Sequence, residues 1–159
     1  MRKVLIAVDG SKCATKAVEY AGQQFSGMSD LRITLLHVLP YLATSLWDDG
    51  HILSKQERDE RKKVADKWMD TQRQKAEPIL RGAVAALVKR GIMDSRIETK
   101  TISDSSDIAD SIIEETRNGG YQMLVLGRCG LTAAKRFLMG SVTNKIIDRG
   151  AGTAVCVVE

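Results

Sequence analysis

Val4-Leu5-Ile6-Ala7-Val8 is five uninterrupted apolar residues, stopped at once by Asp9-Gly10-Ser11. A strand with one wet face alternates apolar and polar side chains. A continuous run fits a strand covered on both faces, as in a parallel sheet flanked by helices. The next residues support that reading. Ser11 has the chemistry of a helix N-cap, and Ala14, Ala17, Val18 and Ala21 recur at helical spacing behind it.

The same alternation continues down the chain. Gly27 and Asp30 break it before a second strand over Leu31 to Leu39, which Pro40 ends. Residues 41–53 show no clean period and read as a loop. Ser54 and Glu57 form a capping-box pattern at the start of a long charged stretch to Arg90. Ala76, Ile79, Leu80, Ala83, Val84, Leu87 and Val88 make one apolar helical stripe there, and Gly91 is the expected C-terminal stop. Pro78 lies inside this stretch and predicts a kink or restart. Arg61-Lys62-Lys63, balanced by Glu57, Asp59, Glu60 and Asp66, reads as a solvated helix face.

Ile97 to Ile102 alternates weakly, as a partly exposed strand would. Ser106 or Asp107 opens a helix with Ile108, Ala109, Ile112 and Ile113 on its buried side, ended by Asn118-Gly119-Gly120. Met123 to Leu126 is a fourth strand, Ser141 to Arg149 a last helix closed by Gly150, and Ala154 to Val158 a last strand. The expectation is an α/β protein: one open, mostly parallel five-stranded sheet with helices on both faces. At 159 residues the chain is read as one domain over 1–159.

Composition removes several function classes. Lys and Arg number 24 against 20 Asp and Glu, a net charge of +4 that is too small and too scattered to imply nucleic acid. Cys13, Cys129 and Cys156 lie far apart, their number is odd, and none forms a C-x-x-C pair. That argues for a reducing compartment and against structural zinc. Cys129 is the cysteine expected in an accessible, electropositive loop, although an inert thiol is the preferred reading. His37, set among apolar neighbours, reads as structural. The apolar start is too short for a signal-peptide core, and no stretch approaches the roughly 20 apolar residues of a membrane span. The expected location is the cytoplasm, with no membrane partner.

In an open parallel sheet, ligands bind beyond the carboxyl ends of the strands, where the strand order reverses. Two turns lie at such ends: Asp9-Gly10-Ser11, and Gly127-Arg128-Cys129-Gly130. Glycine lets backbone N–H groups approach phosphate oxygens. The second turn leads on to Gly140-Ser141-Val142-Thr143 at the start of a helix, whose N-terminus favours anions. Ser141 is also expected to be its N-cap, and Ser141 and Thr143 add hydroxyl donors.

The spacing Gly127-x2-Gly130-x9-Gly140-Ser141 resembles the nucleotide-binding signature of the universal stress protein family. The likeness extends to Val8-Asp9-Gly10-Ser11, to Leu36-His37-Val38, to Met123-Leu124-Val125-Leu126-Gly127 and to the short closing strand, and so covers nearly the whole chain. It implies a Rossmann-like fold of the adenine nucleotide α-hydrolase type. It also implies ATP as ligand, with Mg2+ held by the phosphates. Ala7, Val8 and Asp9 would hold the adenine and ribose side, and Val38 would line the adenine pocket. Leu126 would contact the nucleoside, and Gly127, Gly130, Gly140, Ser141, Val142 and Thr143 would take ribose and phosphates. Family members pair the last strand with its twin, which implies a homodimer through 154–158. The chain departs from the family where Asp104-Ser105-Ser106 replaces Gly-x-Pro and Gly152-Thr153-Ala154 replaces Cys-Pro-Val. Arg128 and Cys129 are also unusual in the glycine turn.

The function expected is an ATP-binding stress-response regulator whose output is its bound state. The alternatives are a slow ATP hydrolase and a nucleotide-independent interaction module on the same fold. The sequence has no Walker GxxxxGK[ST], no Ser-Gly-Gly-x-Asp-Ser pyrophosphatase loop and no acidic cluster of the receiver type, so rapid turnover is not expected.

Overall fold

The computed structural model describes residues 1–40, 54–103, 105–131 and 139–159. The expected loop at 41–53, Asp104, and residues 132–138 of the glycine-signature spacing lie outside them. The elements run β1 (Arg2–Ala7), α1 (Lys12–Phe25), β2 (Leu31–Val38), α2 (Lys55–Lys89), β3 (Ile97–Ile102), α3 (Ile108–Asn118), β4 (Met123–Gly127), α4 (Ser141–Arg149) and β5 (Ala154–Val158). The strands form one parallel sheet in the order β3-β2-β1-β4-β5.

The apolar run of β1 is central, as its composition requires. Leu5 and Ile6 are fully buried on opposite faces. On one face Val4, Ile6, Ile33, Leu35 and Val125 pack against Ala17, Val18 and Ala21 of α1 and Leu80, Ala83 and Leu87 of α2. On the other, Leu5, Leu36, Leu124 and Leu126 pack against Ala109, Ile112 and Ile113 of α3 and Ile146 of α4. Burying such side chains contributes roughly 1.5–3 kcal/mol each before entropy is counted. These two apolar layers hold the strand ends rigid beneath the site.

Three expectations need correction. Of the kink or restart expected at Pro78, the restart does not occur: helix α2 runs unbroken from Lys55 to Lys89. Pro78 and Gln74, the residue one turn back whose carbonyl loses its N–H partner, are both exposed, so water can serve that carbonyl. Ser141 is not the N-cap of α4. Gly140 takes that place, with extended backbone (φ −62°, ψ 149°), and Ser141 is the first helical residue. Cys13 and Cys129 are joined as a disulfide, and Cys156 alone is free. The capping box of Ser54 and Glu57 is present as expected, with Ser54 N–H donating to Glu57 Oε2 at 2.8 Å.

Candidate functional site

The strand order reverses between β1 and β4, the neighbours from which the chain departs in opposite directions. The turn after β1 and the turn after β4 therefore stand side by side at one end of the sheet. In the first, Asp9 Oδ1 accepts from the Ser11 N–H at 2.9 Å, and Gly10 takes φ +81°, a conformation that L side chains resist. Ser11 caps α1 by accepting from the Ala14 N–H at 3.1 Å, and its hydroxyl donates to the Cys129 carbonyl at 3.4 Å. One serine thus links both turns.

The two glycines of the β4 turn have different reasons to be glycine. A Cβ at Gly127 would lie 2.5 Å from the Cys13 carbonyl carbon and 2.8 Å from the Ala14 nitrogen, so backbone meets backbone there. Among the described residues, a Cβ at Gly130 would meet only Asp9 Oδ2, at 2.9 Å. Gly127 lets the loop pack on α1. Gly130 leaves open the space beside the Asp9 carboxylate. Gly140 lies against the same turn, its N–H donating to the Arg128 carbonyl at 2.8 Å. The Arg128 guanidinium reaches Glu159, Nε to Oε1, at 3.4 Å.

Other expected site residues are distributed as follows. Ala7 ends β1 and is half-buried. Val8 is buried on the α1–α2 side, its N–H donating to the Leu36 carbonyl at 2.8 Å. Its carbonyl accepts from His37 Nδ1 at 2.7 Å. A carbonyl cannot donate, so Nδ1 carries the proton, and His37 ties the end of β1 to β2 in the structural role expected. Val38 and Leu126 are buried on the α3–α4 side. Thr143 is also buried, and its hydroxyl donates to the Gly127 carbonyl at 3.0 Å, so it supports the loop from beneath. Ser141 is exposed at the mouth, with Val142 half-buried beside it.

A groove of about 680 Å³ continues from this mouth between α3 and α4, lined by Pro40, Asp107, Ser141, Val142 and Lys145 among others. Asp107 caps α3, accepting from the Ala109 and Asp110 N–H groups at 3.0 and 3.1 Å, and pairs with Lys145 of α4. The Lys145 hydrogen bond is the main cause that holds the Asp107 carboxyl below its ordinary 3.8, with those backbone N–H groups acting in the same direction.

Sequence reasoning missed two of these features. The Cys13–Cys129 contact joins residues 116 apart, and only the topology brings them together. The Asp107–Lys145 pair spans 38 residues and left no local pattern.

The chain matches the Universal stress protein family over residues 1–157. It is 22% identical over 151 residues to universal stress protein YxiE of Bacillus subtilis strain 168, covering 91% of this chain and 90% of that one. Among solved structures, universal stress protein UspA from Lactobacillus plantarum superposes with a TM-score of 0.74 at 18% identity, covering 99% of this chain and 97% of that one. The Arabidopsis thaliana family protein At3g01520, solved with AMP bound, superposes with a TM-score of 0.64 at 22% identity, covering 99% and 91%. With the family matched over nearly its full length and the fold shared, the chain belongs to the universal stress protein family.

Proposed function

We propose that the protein binds an adenine nucleotide, ATP by preference, in the crevice between the Asp9-Gly10-Ser11 turn and the glycine loop after β4. The observation that carries this reading is the meeting of Gly130, Gly140 and the start of α4 at the reversal of strand order. Its N-cap, Gly140, has no side chain to give the first N–H groups, and a phosphate is the natural acceptor there. The AMP-bound Arabidopsis structure shares the fold and supports the ligand class.

In this reading Gly130, Gly140 and Ser141 receive the phosphates. Asp9 and the main chain of Ala7 and Val8 hold the nucleoside side, and Val38 and Leu126 close the apolar floor. Gly127 and Thr143 act from below by holding the loop. Mg2+ would be carried by the triphosphate. Hydrolysis is slow or absent, far below the typical enzyme turnover of about 10 per second. The bound state is the output of a cytoplasmic stress-response regulator.

The protein purified natively and then denatured should release adenine nucleotide, identified by mass. Release of none, together with no heat on titration of Mg·ATP, would overturn the reading.

The assembly proposed is a homodimer through β5. That strand is an edge of the sheet, uncharged through Ala154–Val158. Val155 and Val157 share a shallow surface with Ile146 and Ile147 of α4. The opposite edge, β3, carries Glu98 and Lys100, which discourage pairing. An unprotected edge is satisfied by its own copy across a two-fold axis. Sedimentation should give a dimer at micromolar concentration, and Val155→Lys with Val157→Lys should dissociate it. A wild-type monomer throughout that range would exclude it.

A further inference from the structure

The groove between α3 and α4 holds a charged pair at the end nearest the helix starts. Ser141 and Lys145 both line it. They are four residues apart on α4 and so share one face, and a long helical side chain leans back toward the N-terminus of its helix. The Lys145 ammonium is thereby carried toward the start of α4, where it donates to Asp107 Oδ2. Asp107 is the N-cap of α3, and its other oxygen, Oδ1, accepts from the Ala109 and Asp110 N–H groups at 3.0 and 3.1 Å. The Lys145 and Asp107 side chains keep 44% and 30% of their surface exposed, so the pair is open to the groove and not sealed in the core. Pro40, beyond the end of β2, lines the same groove, set there by the Leu39 N–H donating to the Ile102 carbonyl at 2.8 Å.

We propose that Asp107 and Lys145 bind the ribose of the nucleotide through its vicinal hydroxyls, so that affinity depends on an intact diol. The inference rests on the nucleotide-binding reading, in which the phosphates lie at Ser141 and the adenine against Val38, two residues before Pro40. The ribose joins those two parts, and the groove is lined by both Ser141 and Pro40. Charge points the same way. The ionisable groups lining the groove are Asp107, Asp148 and Lys145, two carboxylates and one ammonium. That balance disfavours a further anion and suits an uncharged polar group such as a sugar. The groove's volume of about 680 Å³ lies within the roughly 300–1,000 Å³ of small-molecule sites.

A vicinal diol presents two O–H donors and two acceptor oxygens side by side. The pair presents the complement. Asp107 Oδ2 accepts from Lys145 and has lone-pair capacity for one more donor, and Lys145 Nζ spends one of its three N–H groups on that bond. One ribose hydroxyl donates to Asp107 Oδ2, and its neighbour's oxygen accepts from Lys145 Nζ. Neither contact requires the ion pair or the α3 cap to break. The Lys145 hydrogen bond holds the Asp107 carboxyl below its ordinary 3.8, so the acceptor is ionised at neutral pH. Hydrogen bonds to charged groups are the stronger kind, and both partners are already fixed by the helices that carry them. A nucleotide without the diol leaves those charged groups without its contacts.

The test is calorimetric titration of the full chain at neutral pH with AMP and with 2′,3′-dideoxy-AMP, which lacks both hydroxyls. Wild type should bind AMP at least about tenfold more tightly than the dideoxy compound, because a site built to hydrogen-bond a hydroxyl rejects the analogue lacking it. Lys145→Met should bring that ratio close to one by weakening AMP selectively. Asp107→Asn, whose amide still caps α3, should do the same and serves as the second variant should the first not fold. A merely structural role for the pair would weaken both ligands alike and leave the ratio as it stands in wild type. Equal binding of the two compounds by wild type, tighter binding of the dideoxy compound, or the wild-type ratio kept by a folded variant would each overturn the inference. Binding of neither compound would overturn the functional reading and this inference with it, an outcome distinct from equal binding of both.

Discussion

Helices α3 and α4 open at the same end of the sheet, pack on the same face, and satisfy their first turns in opposite ways. The start of α3 is closed from within. Asp107 accepts two backbone N–H groups and carries a charge that complements the helix dipole, and Lys145 balances that charge. Among the described residues, the start of α4 has only Gly140 as its cap, with backbone rather than a carboxylate beside it. A helix end that carries its own anion stabilises the fold. One that lacks an anion leaves room for a ligand's, at some cost in stability. Lys145 joins the two helices through its ion pair with Asp107, so the closed start of α3 also steadies α4.

The largest expected effect comes from breaking the support beneath α4. Gly127→Ala drives a methyl into the Cys13 main chain, and the Gly127 carbonyl is also the acceptor for Thr143 in the first turn of α4. The variant should lose about 3 kcal/mol or more in urea unfolding, at the upper end of overpacking costs. Unchanged stability would mean that the loop does not pack on α1 as described.

Opening the closed end should cost less. Asp107→Ala removes a double cap and a partly exposed ion pair, and should lose about 1–2 kcal/mol, most of it from the cap. The same group sets a pH dependence. The Asp107 carboxyl is held below its ordinary 3.8 in the folded chain. Its contribution is therefore complete above that value and is lost as the pH falls through the lower folded value. Wild-type stability should drop more steeply than that of Asp107→Ala below about pH 4. Parallel curves would mean that Asp107 does not close the start of α3.

The smallest effect on stability comes from giving α4 an anion of its own. Ser141→Asp places a carboxylate in its first turn and should stabilise the protein by about 0.3–1 kcal/mol while weakening AMP binding through repulsion. A variant that binds AMP as well as wild type would show that the phosphates lie elsewhere.

Much of this arrangement was legible in the sequence, and the exceptions share a cause. Strands β3 and β5 and helix α4 begin and end where the apolar pattern and the glycines put them. Strand β1 begins earlier than its apolar run because Arg2 is paired through backbone, its N–H donating to the Asp30 carbonyl at 2.9 Å. The sheet order 3-2-1-4-5 then brings Asp9 and Gly130 together, as strand–helix alternation and ligand rules for such sheets suggest. What escaped depends on contacts distant in sequence. Ser141 has the residue type of an N-cap, but the Arg128 carbonyl holds Gly140 in that place. The Cys13–Cys129 bond is invisible locally, because an odd number of cysteines at wide spacing carries no pairing information. Pro78 stands in an unbroken helix because its face is exposed, which a local pattern does not reveal.

The most direct test is a calorimetric titration of AMP into wild type and Gly130→Val. Among the described residues a Cβ at Gly130 meets only the movable Asp9 carboxylate, and the residue's backbone does not require positive φ, so the variant should keep its fold and urea midpoint. Its branched side chain enters the space assigned to the phosphates. Wild type should bind saturably, and the variant should bind more than tenfold more weakly, a loss of about 1.4 kcal/mol. Equal affinity in two equally stable proteins would contradict a phosphate site at Gly130.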